Sequence, residues 1–307
     1  MIDVFNLADN SQYNQVFYAK GTTDFQIWSK PANCKFINIF CLGSGAGGGG
    51  GQGGAVATAR RGGGGGGSAG YSIGFFSANQ IPDTLFLLVP NGGVGGLGGA
   101  TPSNGSAGQL SYVSVQPNNT AINILLQSGA VAPTGGISGA TNPATGGTGG
   151  TIWAGGILNS LGLATASVGQ NGTTGQTTPV PTNITIANII TGGSAGAGTN
   201  GATPQNGASI TGSGFVNTVS GGAGNASSTA EDGSGGYVSA LPQLYVSQRQ
   251  PMFFTGGTGG GSSNSAGGGN GGSGAYGSGG GGGGAGLTSL GGNGGNGGDG
   301  LIIISCF

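Results

Sequence analysis

The chain has 307 residues, including 80 glycines and 12 prolines, and its six lysine and arginine residues are nearly balanced by seven aspartate and glutamate residues. A formal net charge of −1 offers no basic surface to neutralise phosphates, which argues against nucleic-acid binding. The absence of histidine removes the commonest general base and a frequent zinc ligand. The composition therefore predicts a protein that is not an enzyme and needs neither a metal nor another cofactor.

The glycine content raises the question of order. Glycine adds no side chain to a core and loses the most backbone entropy on folding, so a chain this rich in glycine is normally disordered. Disordered chains, however, are rich in charge and poor in apolar residues, whereas 4% of these residues are charged and 35% are hydrophobic. The apolar residues are also grouped in short runs. The sequence therefore predicts an ordered protein in which the glycine backbone itself packs.

Residues 1–20 form the first predicted element, an N-terminal arm or edge strand without a glycine run. Asp3 and Asp9 lie where a signal peptide needs basic residues, and no apolar stretch of about 7–15 residues follows them. No apolar run in the chain approaches the roughly 20 residues of a membrane-spanning helix. We therefore expect synthesis in a cytoplasm, no membrane insertion, and an arm that docks onto a partner protein.

Residues 21–115 are predicted to form a glycine-rich β domain. The apolar runs at 36–42 and 85–89 have the length and composition of buried strands. Each run leads into glycine-rich sequence, at 43–54 and 91–99 respectively. This alternation predicts that strands anchor the glycine segments.

The rest of the chain divides into two parts. Residues 116–190 are richer in threonine, asparagine and proline and predict an insertion of loops and short strands. Residues 191–307 return to glycine-rich sequence and close the same core with an apolar run at 301–304. Because that run is apolar on both faces, we expect a central strand next to 36–42. No segment has a sustained apolar period of about 3.6 residues, so almost no helix is expected.

The predicted fold class is all-β, β-sandwich or jelly-roll-like, with glycine-rich extended segments. Such segments can adopt the polyproline II conformation, with three residues per turn and a rise of about 3.1 Å per residue. This conformation has no internal hydrogen bonds, so every N–H and C=O group must find a partner on a neighbouring segment. A GGx repeat suits this packing, because every third side chain can face outward. The partners can belong to the same chain or to other chains.

The pieces described so far follow one another in a fixed order. They are an aromatic lead into proline, a strand, two glycine runs, a second strand, a GGx repeat and a closing GGx-to-isoleucine run, at 25–31, 36–42, 43–54, 62–71, 85–89, 91–99 and 291–304. This order resembles glycine-rich proteins of bacteriophage particles. The resemblance implies a tail-fibre segment, a tail-tip adhesin or a surface decoration, commonly assembled as a trimer.

The function expected from this resemblance is that of a non-enzymatic structural component of the virion. We expect a homotrimeric tail-fibre, tail-tip or head-fibre appendage involved in host attachment. The N-terminal arm would contact other virion proteins, and a host surface glycan or outer-membrane protein would be the external partner. Two alternatives are a capsid decoration or vertex protein without a receptor role, and a carbohydrate-active depolymerase.

Three patterns in the sequence carry possible chemistry. Residues 43–48 match GxGxxG after an apolar strand, but the dinucleotide motif also needs a helix and an acidic residue about 20 positions later, and neither follows. A glycosidase pair such as Asp83 with Glu231 stays open as an alternative. Glu231 and Asp232 are expected in a solvated loop rather than a calcium site. No catalytic, cofactor-binding or metal-binding residue is predicted.

Three residues are the candidates for surface contacts. Arg60 and Arg61 form the only doubled basic site and lie between two glycine runs. They could pair with a carboxylate of a neighbouring subunit or contact a phosphate or sugar, or they could form an exposed loop tip. Trp153 lies in a threonine- and glycine-rich stretch and is the aromatic residue expected to be exposed and able to stack on a glycan.

The three cysteines, Cys34, Cys41 and Cys306, are too few for a disulfide scaffold. We expect them to be buried free thiols. A contact between Cys41 and Cys306 would follow if the strands that carry them pair.

Overall fold

The fold is built almost entirely from strands and extended backbone. A computed structural model describes residues 13–154, 158, 161–176, 181–212, 216–236, 238–239, 253–288 and 290–307. The helices in this part are short, among them the 3-10 turns Ala78–Gln80 and Ala121–Asn123. The predicted all-β class with almost no helix is confirmed.

The described strands are β1 (Tyr13–Tyr18), β2 (Gln26–Ser29), β3 (Phe36–Leu42), β4 (Gly53–Gly54), β5 (Tyr71–Ser77), β6 (Thr84–Leu88), β7 (Tyr112–Ser114), β8 (Ile124–Gln127), β9 (Ala164–Ser167), β10 (Ile184–Thr185), β11 (Ile210–Thr211), β12 (Val238–Ser239), β13 (Phe253–Phe254), β14 (Gly286–Leu287) and β15 (Leu301–Cys306). The longer strands form an antiparallel sheet of order β1-β15-β3-β5-β9 and a second of order β2-β6-β7-β8. The remaining strands form two-stranded pairs.

The two large sheets form a β-sandwich around one hydrophobic core. In β3 the side chains alternate, so that Ile37, Ile39 and Cys41 point inward and are fully buried. This alternation is what the two-residue period of a strand requires when one face meets the core. The other main core residues are Trp28, Phe76, Leu85, Leu87, Val89, Val113, Leu126, Ile302, Ile304 and Cys306.

Strand β15 is an interior strand of the five-stranded sheet, paired with β1 on one edge and with β3 on the other. Its residues Leu301, Ile302 and Ile304 are buried. The prediction of a central closing strand beside 36–42 is therefore confirmed. The arm predicted at 1–20 contributes β1, an edge strand paired with β15, and its residues 1–12 lie outside the described part of the chain.

The glycine segments continue from the sandwich strands and pack into an array. The segment 43–52 leaves β3, and the segment 61–70 returns to β5. The two are antiparallel neighbours, because Ala46 N donates to Gly67 O and Gly49 N donates to Gly64 O. The segments of the array thus run between a proximal end at the sandwich and a distal end formed by turns.

Hydrogen bonds between segments recur every third residue, as expected for polyproline II backbone. In segment 43–52, Gly45, Gly48 and Gly51 donate to the segment 290–300, and the positions between them bond to other segments. The whole segment is bonded to six neighbours of the same chain. These neighbours are 61–70, 91–99, 103–110, 131–139, 277–286 and 290–300. The open question of packing within or between chains is therefore answered for this segment: its partners belong to its own chain.

Five inner segments are buried almost throughout, namely 43–52, 61–70, 191–199, 254–263 and 277–286. Close approach explains their glycine content. A Cβ atom at Gly48 would lie 2.0 Å from Gly281 O, and one at Gly50 would lie 2.0 Å from Leu97 O. No side chain fits at such distances, so the backbone of the next segment takes the place that side chains hold in an ordinary core.

The outer segments show what the GGx repeat does. In segment 91–99 the third residues, Val94 and Leu97, are 63% and 67% exposed, while Gly93 and Gly96 are buried against segment 43–52. The expected outward direction of every third side chain is observed here.

Residues 116–190, for which loops and short strands were predicted, contribute to both sheets and to the array. They supply β8 to the four-stranded sheet and β9 to the five-stranded sheet. They also supply the array segments 131–139, 144–151 and 168–175. The threonines in 145–151 occupy the outward positions of a GGx repeat. This segment therefore differs from segment 91–99 in composition but has the same structural role in the array.

Candidate functional site

The distal end of the array is the candidate site, because it gathers turns from distant parts of the chain. The turns at 53–60, 100–102, 140–143 and 200–203 each reverse the chain between two array segments. Residue pairings hold them together: Gln52 bridges to Gly99, and β4 pairs with β14. Because loops tolerate changes in sequence when a rigid scaffold holds them, this end is suited to carry variable contacts.

The exposed turns at 55–59 and 140–143 carry small, uncharged side chains. Residues 55–59 and 140–143 are exposed and consist of alanine, threonine, valine, asparagine and proline. Val56, at the tip of the longest of these turns, is 68% exposed. A surface of this kind offers hydroxyl, amide and methyl groups but no charge to a ligand.

Two non-glycine residues of the distal end have a left-handed backbone. Ala57 has φ 59° and Thr288 has φ 53°. Such conformations cost free energy for residues with a side chain, and they concentrate at functional positions. The turn around Ala57 also contacts Gly201 closely, since a Cβ on that glycine would lie 2.5 Å from Ala57 C. The packing of neighbouring turns therefore holds the strained backbone in place.

Arg60 lies beneath these turns and is 1% exposed. Its guanidinium donates to Gly286 O at 2.7 Å, to Asn264 Oδ1 at 3.1 Å, and to the carbonyl oxygens of Thr58 and Gly54. Burial lowers the pKa of Arg60, although an arginine stays protonated at neutral pH. The structure thus corrects the expected exposed position of Arg60: its side chain ties three parts of the distal end together.

Arg61 follows Arg60 but enters segment 61–70 instead. Its backbone N–H donates to Gln52 Oε1 at 3.3 Å, and its side chain is partly buried. The Arg61 Nε atom is buried and has no hydrogen-bond partner among the described residues. Of the two arginines, Arg61 has the more exposed side chain and is the one that can contact a ligand.

Trp153 lies at the other end of the array. It is partly buried and packs against the sandwich core, so much of its ring is unavailable for a glycan. An array segment of about ten residues separates the two ends by on the order of 30 Å. The three predicted surface residues therefore do not form one site.

A feature that the sequence analysis missed is a ladder of polar side chains on segment 290–300. Asn293, Asn296 and Asp299 accept hydrogen bonds at 2.8, 2.9 and 2.8 Å from the backbone N–H groups of segment 91–99. The donors are Gly98, Gly95 and Gly92. An outer segment has fewer backbone neighbours, so a side-chain oxygen at every third residue supplies the missing acceptor. The repeated GGN and GGD triplets in 291–299 are the sequence pattern from which this ladder could have been predicted.

A model of a glycine-rich domain family matches residues 19–307. The chain belongs to this glycine-rich domain family. The match begins after β1 and covers the described sandwich strands from β2 onward together with the array, so the family describes more than the glycine tracts. No significant relative was found among curated proteins.

The GxGxxG stretch at 43–48 lies inside the array of this glycine-rich domain. It is fully buried, and Gly45 N and Gly48 N donate to Gly298 O and Gly295 O. A phosphate-binding loop needs free N–H groups at a helix N-terminus, and these two donors are already used. The motif here is part of the packing.

The acidic residues hold structural positions in separate parts of the domain. Asp83 pairs with Lys30 at 2.8 Å in the turn before β6. Glu231 lies in the array, where its carboxylate accepts from Ala223 N at 3.4 Å, and Asp232 accepts from Asn270 N at 2.6 Å. The structure therefore does not bring Asp83 and Glu231 together as a glycosidase pair.

The described residues contain no group of three or more histidine, cysteine, aspartate or glutamate side chains suited to a metal ion. Within the same residues, no helix combines the length and apolar character needed to cross a membrane.

Proposed function

We propose that this protein is a structural component of a bacteriophage particle, an appendage whose distal end meets the host surface. The proposal rests on the order of strands and glycine runs, which resembles glycine-rich virion proteins. It also rests on the division of the molecule into an anchoring sandwich and a distal end made of turns. In this arrangement the sandwich, with its edge strand β1, faces the particle.

The observation that carries the proposal is the self-contained array. Segment 43–52 satisfies its backbone with six neighbours from the same chain. A stiff body of this kind holds the distal turns in place without depending on their sequence. That property suits an attachment protein, which must present variable loops on a constant scaffold.

The proposed partner at the distal end is a neutral host surface group, such as a glycan or the exposed loops of an outer-membrane protein. Hydroxyl and amide groups of threonine and asparagine can hydrogen-bond to sugar hydroxyls, and Val56 can contact their apolar faces. The backbone of segment 43–52 finds its hydrogen-bond partners within one chain, so these bonds do not require a trimer. The proposal of a homotrimer therefore rests on the resemblance to virion proteins alone.

The position on the particle tests the proposal. Antibodies raised against the purified protein would be applied with gold labels to intact phage particles whose genome encodes it. Labels at tail or fibre ends are the expected result. Labels confined to the capsid faces would favour the decoration alternative and overturn the appendage proposal, and unlabelled particles that also lack the protein by mass spectrometry would overturn both.

A matched pair of substitutions tests the distal contact. Val56→Asp places a charge at the distal end, whereas Val94→Asp places it on the side of the array at a similarly exposed position. We expect particles carrying Val56→Asp to adsorb to host cells at least about tenfold more slowly, since burying an unpaired charge in an interface costs more than about 1.4 kcal/mol. Particles carrying Val94→Asp should adsorb normally. Equal adsorption of both variants would contradict the assignment of the distal end.

A further inference from the structure

Cys34 and Cys306 lie side by side although nearly the whole chain separates them in sequence. In the pairing of β15 with β3, Cys306 is opposite Ile37. One residue further, Phe307 N donates to Phe36 O at 3.0 Å, and Lys35 N donates to Phe307 O at 2.7 Å. These bonds hold the residues around 34–36 against the end of β15. The Cys34 thiol donates to Phe36 O at 3.4 Å, the same oxygen that accepts from Phe307 N, so it lies next to Cys306 at the end of β15.

A tight turn directs Cys34 toward this position. Cys34 N donates to Pro31 O at 3.4 Å, and Asn33 has φ 64°. Asparagine is one of the few residues with a side chain that adopts this left-handed conformation readily. The turn brings Cys34 back against the sandwich core, where it is partly buried, while Cys306 is 2% exposed.

We propose that Cys34 and Cys306 form an intramolecular disulfide when the protein meets an oxidising disulfide of low molecular weight, such as oxidised glutathione. The Cys34 thiolate attacks one glutathione sulfur, which forms a mixed disulfide and releases one glutathione thiolate. The Cys306 thiolate then attacks the Cys34 sulfur, forms the Cys34–Cys306 bond and releases the second glutathione thiolate. Two protein thiols lose two protons and two electrons, and one oxidised glutathione becomes two reduced molecules.

The order of attack follows from exposure. Cys34 is partly exposed and Cys306 is buried, so the oxidant reaches Cys34 first. Burial, together with the neighbouring Cys34, raises the pKa of Cys306 to about 12, and the Lys30 ammonium opposes this shift. Few Cys306 thiolates exist at neutral pH, so the second step becomes faster as the pH rises.

Cys41 takes no part in this reaction. Its strand does pair with β15, as the conditional prediction required, but Cys41 is opposite Ile302 rather than Cys306. Its thiol lies 3.5 Å from Ser111 O in the sandwich core and is fully buried. Burial raises the pKa of Cys41 far above its usual range. The protein thus contains one thiol pair and one inert thiol.

The disulfide would tie the central strand β15 to the turn that precedes β3. A bond that closes so long a stretch of chain restricts the unfolded state strongly. We therefore expect oxidation to raise the melting temperature by about 5–15 °C. For a protein assembled in a reducing cytoplasm, this bond would strengthen the sandwich only after release into an oxidising medium.

The test uses the full chain treated with oxidised glutathione, quenched with an alkylating agent and digested with trypsin under non-reducing conditions. The cysteines fall in three separate peptides, 21–35, 36–60 and 250–307, because trypsin does not cleave before Pro31. The expected product is a cross-link of 21–35 with 250–307, at about 2 Da below the summed masses. Cys41 should remain as a single alkylated thiol.

Serine variants serve as controls. Cys41→Ser should retain both the cross-link and the rise in melting temperature, and Cys34→Ser should lose both. Cys34→Ser changes a partly exposed residue and should fold even if Cys306→Ser does not. A cross-link that involves Cys41, a product that stops at the mixed disulfide on Cys34, or three thiols that persist after oxidation would each overturn the proposal.

Discussion

The inner segments require glycine at individual positions because the neighbouring backbone lies too close for a Cβ atom, not because of the glycine's own backbone conformation. At Gly48 the nearest atom to an added methyl group is a carbonyl oxygen of segment 277–286, and it belongs to a backbone that is itself held by six neighbours. Such a backbone cannot move away without breaking its own hydrogen bonds. A glycine at the edge of the array faces no such restriction.

Gly48→Ala is therefore expected to destabilise the protein by about 3 kcal/mol or more, because it overpacks a site that cannot expand. Gly235→Ala is the matched control, since the nearest atom to its Cβ would be Ser273 O at 3.7 Å. The control should change stability by less than about 1 kcal/mol. Denaturant unfolding measures both. Equal midpoints for the two variants would contradict the close-packed array.

The polar ladder makes a second residue-scale prediction. Asn296→Ala removes the acceptor for Gly95 N and is expected to cost about 1 kcal/mol, because an amide loses its partner at the edge of the array. Asn296→Asp keeps the acceptor and should cost less. Asn91→Ala changes an exposed asparagine that makes no side-chain hydrogen bond in the described residues. If it costs as much as Asn296→Ala, the ladder has no stabilising role.

The thiol pair also has a pH dependence. The groups that face Cys306 are the Cys34 thiol and the Lys30 ammonium, and the pKa of Cys306 is raised to about 12. Since the thiolate fraction grows with pH below that value, conversion of the Cys34 mixed disulfide to the cross-link should quicken about tenfold per pH unit between pH 7 and 9. Quenched time courses of the Cys41→Ser variant measure this rate. A rate that does not change with pH would show that Cys306 is not the resolving thiol.

Among the elements, β15 connects β1 to β3, and both of its edges are paired. Deleting residues 301–307 removes Leu301, Ile302 and Ile304 from the core, each worth about 1.5–3 kcal/mol. It also separates β1 from β3. The loss is comparable with the whole stability of a typical domain, so the deleted protein is expected to be insoluble or unfolded. A circular dichroism spectrum like that of the full chain would contradict this role.

The strands were largely predictable from sequence, and the neighbours of the glycine segments were not. The run at 36–42 coincides with β3, and the run at 301–304 lies inside β15. Apolar runs carry a burial requirement that depends only on local sequence. Glycine runs carry no such requirement. Because Gly48 and Gly283 have the same chemical structure, the sequence does not indicate which segment packs against which. Arg60 was misplaced for the same reason: its main acceptor, Gly286 O, belongs to a residue far along the chain.

At the scale of the whole molecule, two kinds of core meet in one chain. The sandwich is stabilised by apolar side chains, while the inner array segments are stabilised by backbone hydrogen bonds and close contact. Leu42, Leu301 and Phe254 form a second apolar cluster at the junction. Because β3, β5 and β15 each continue directly into an array segment, we expect the two parts to unfold together rather than as separate units.

The three-residue hydrogen-bond repeat has a consequence for how such a protein can change in size. An outer segment needs only amide and carbonyl groups at the correct interval from its new neighbour, and it needs no complementary side-chain shapes. A pair of segments joined by a turn could therefore be gained or lost at the margin of the array while the interior keeps its packing. Length variation by whole hairpins, rather than by single residues, is the pattern of evolutionary change that this architecture favours.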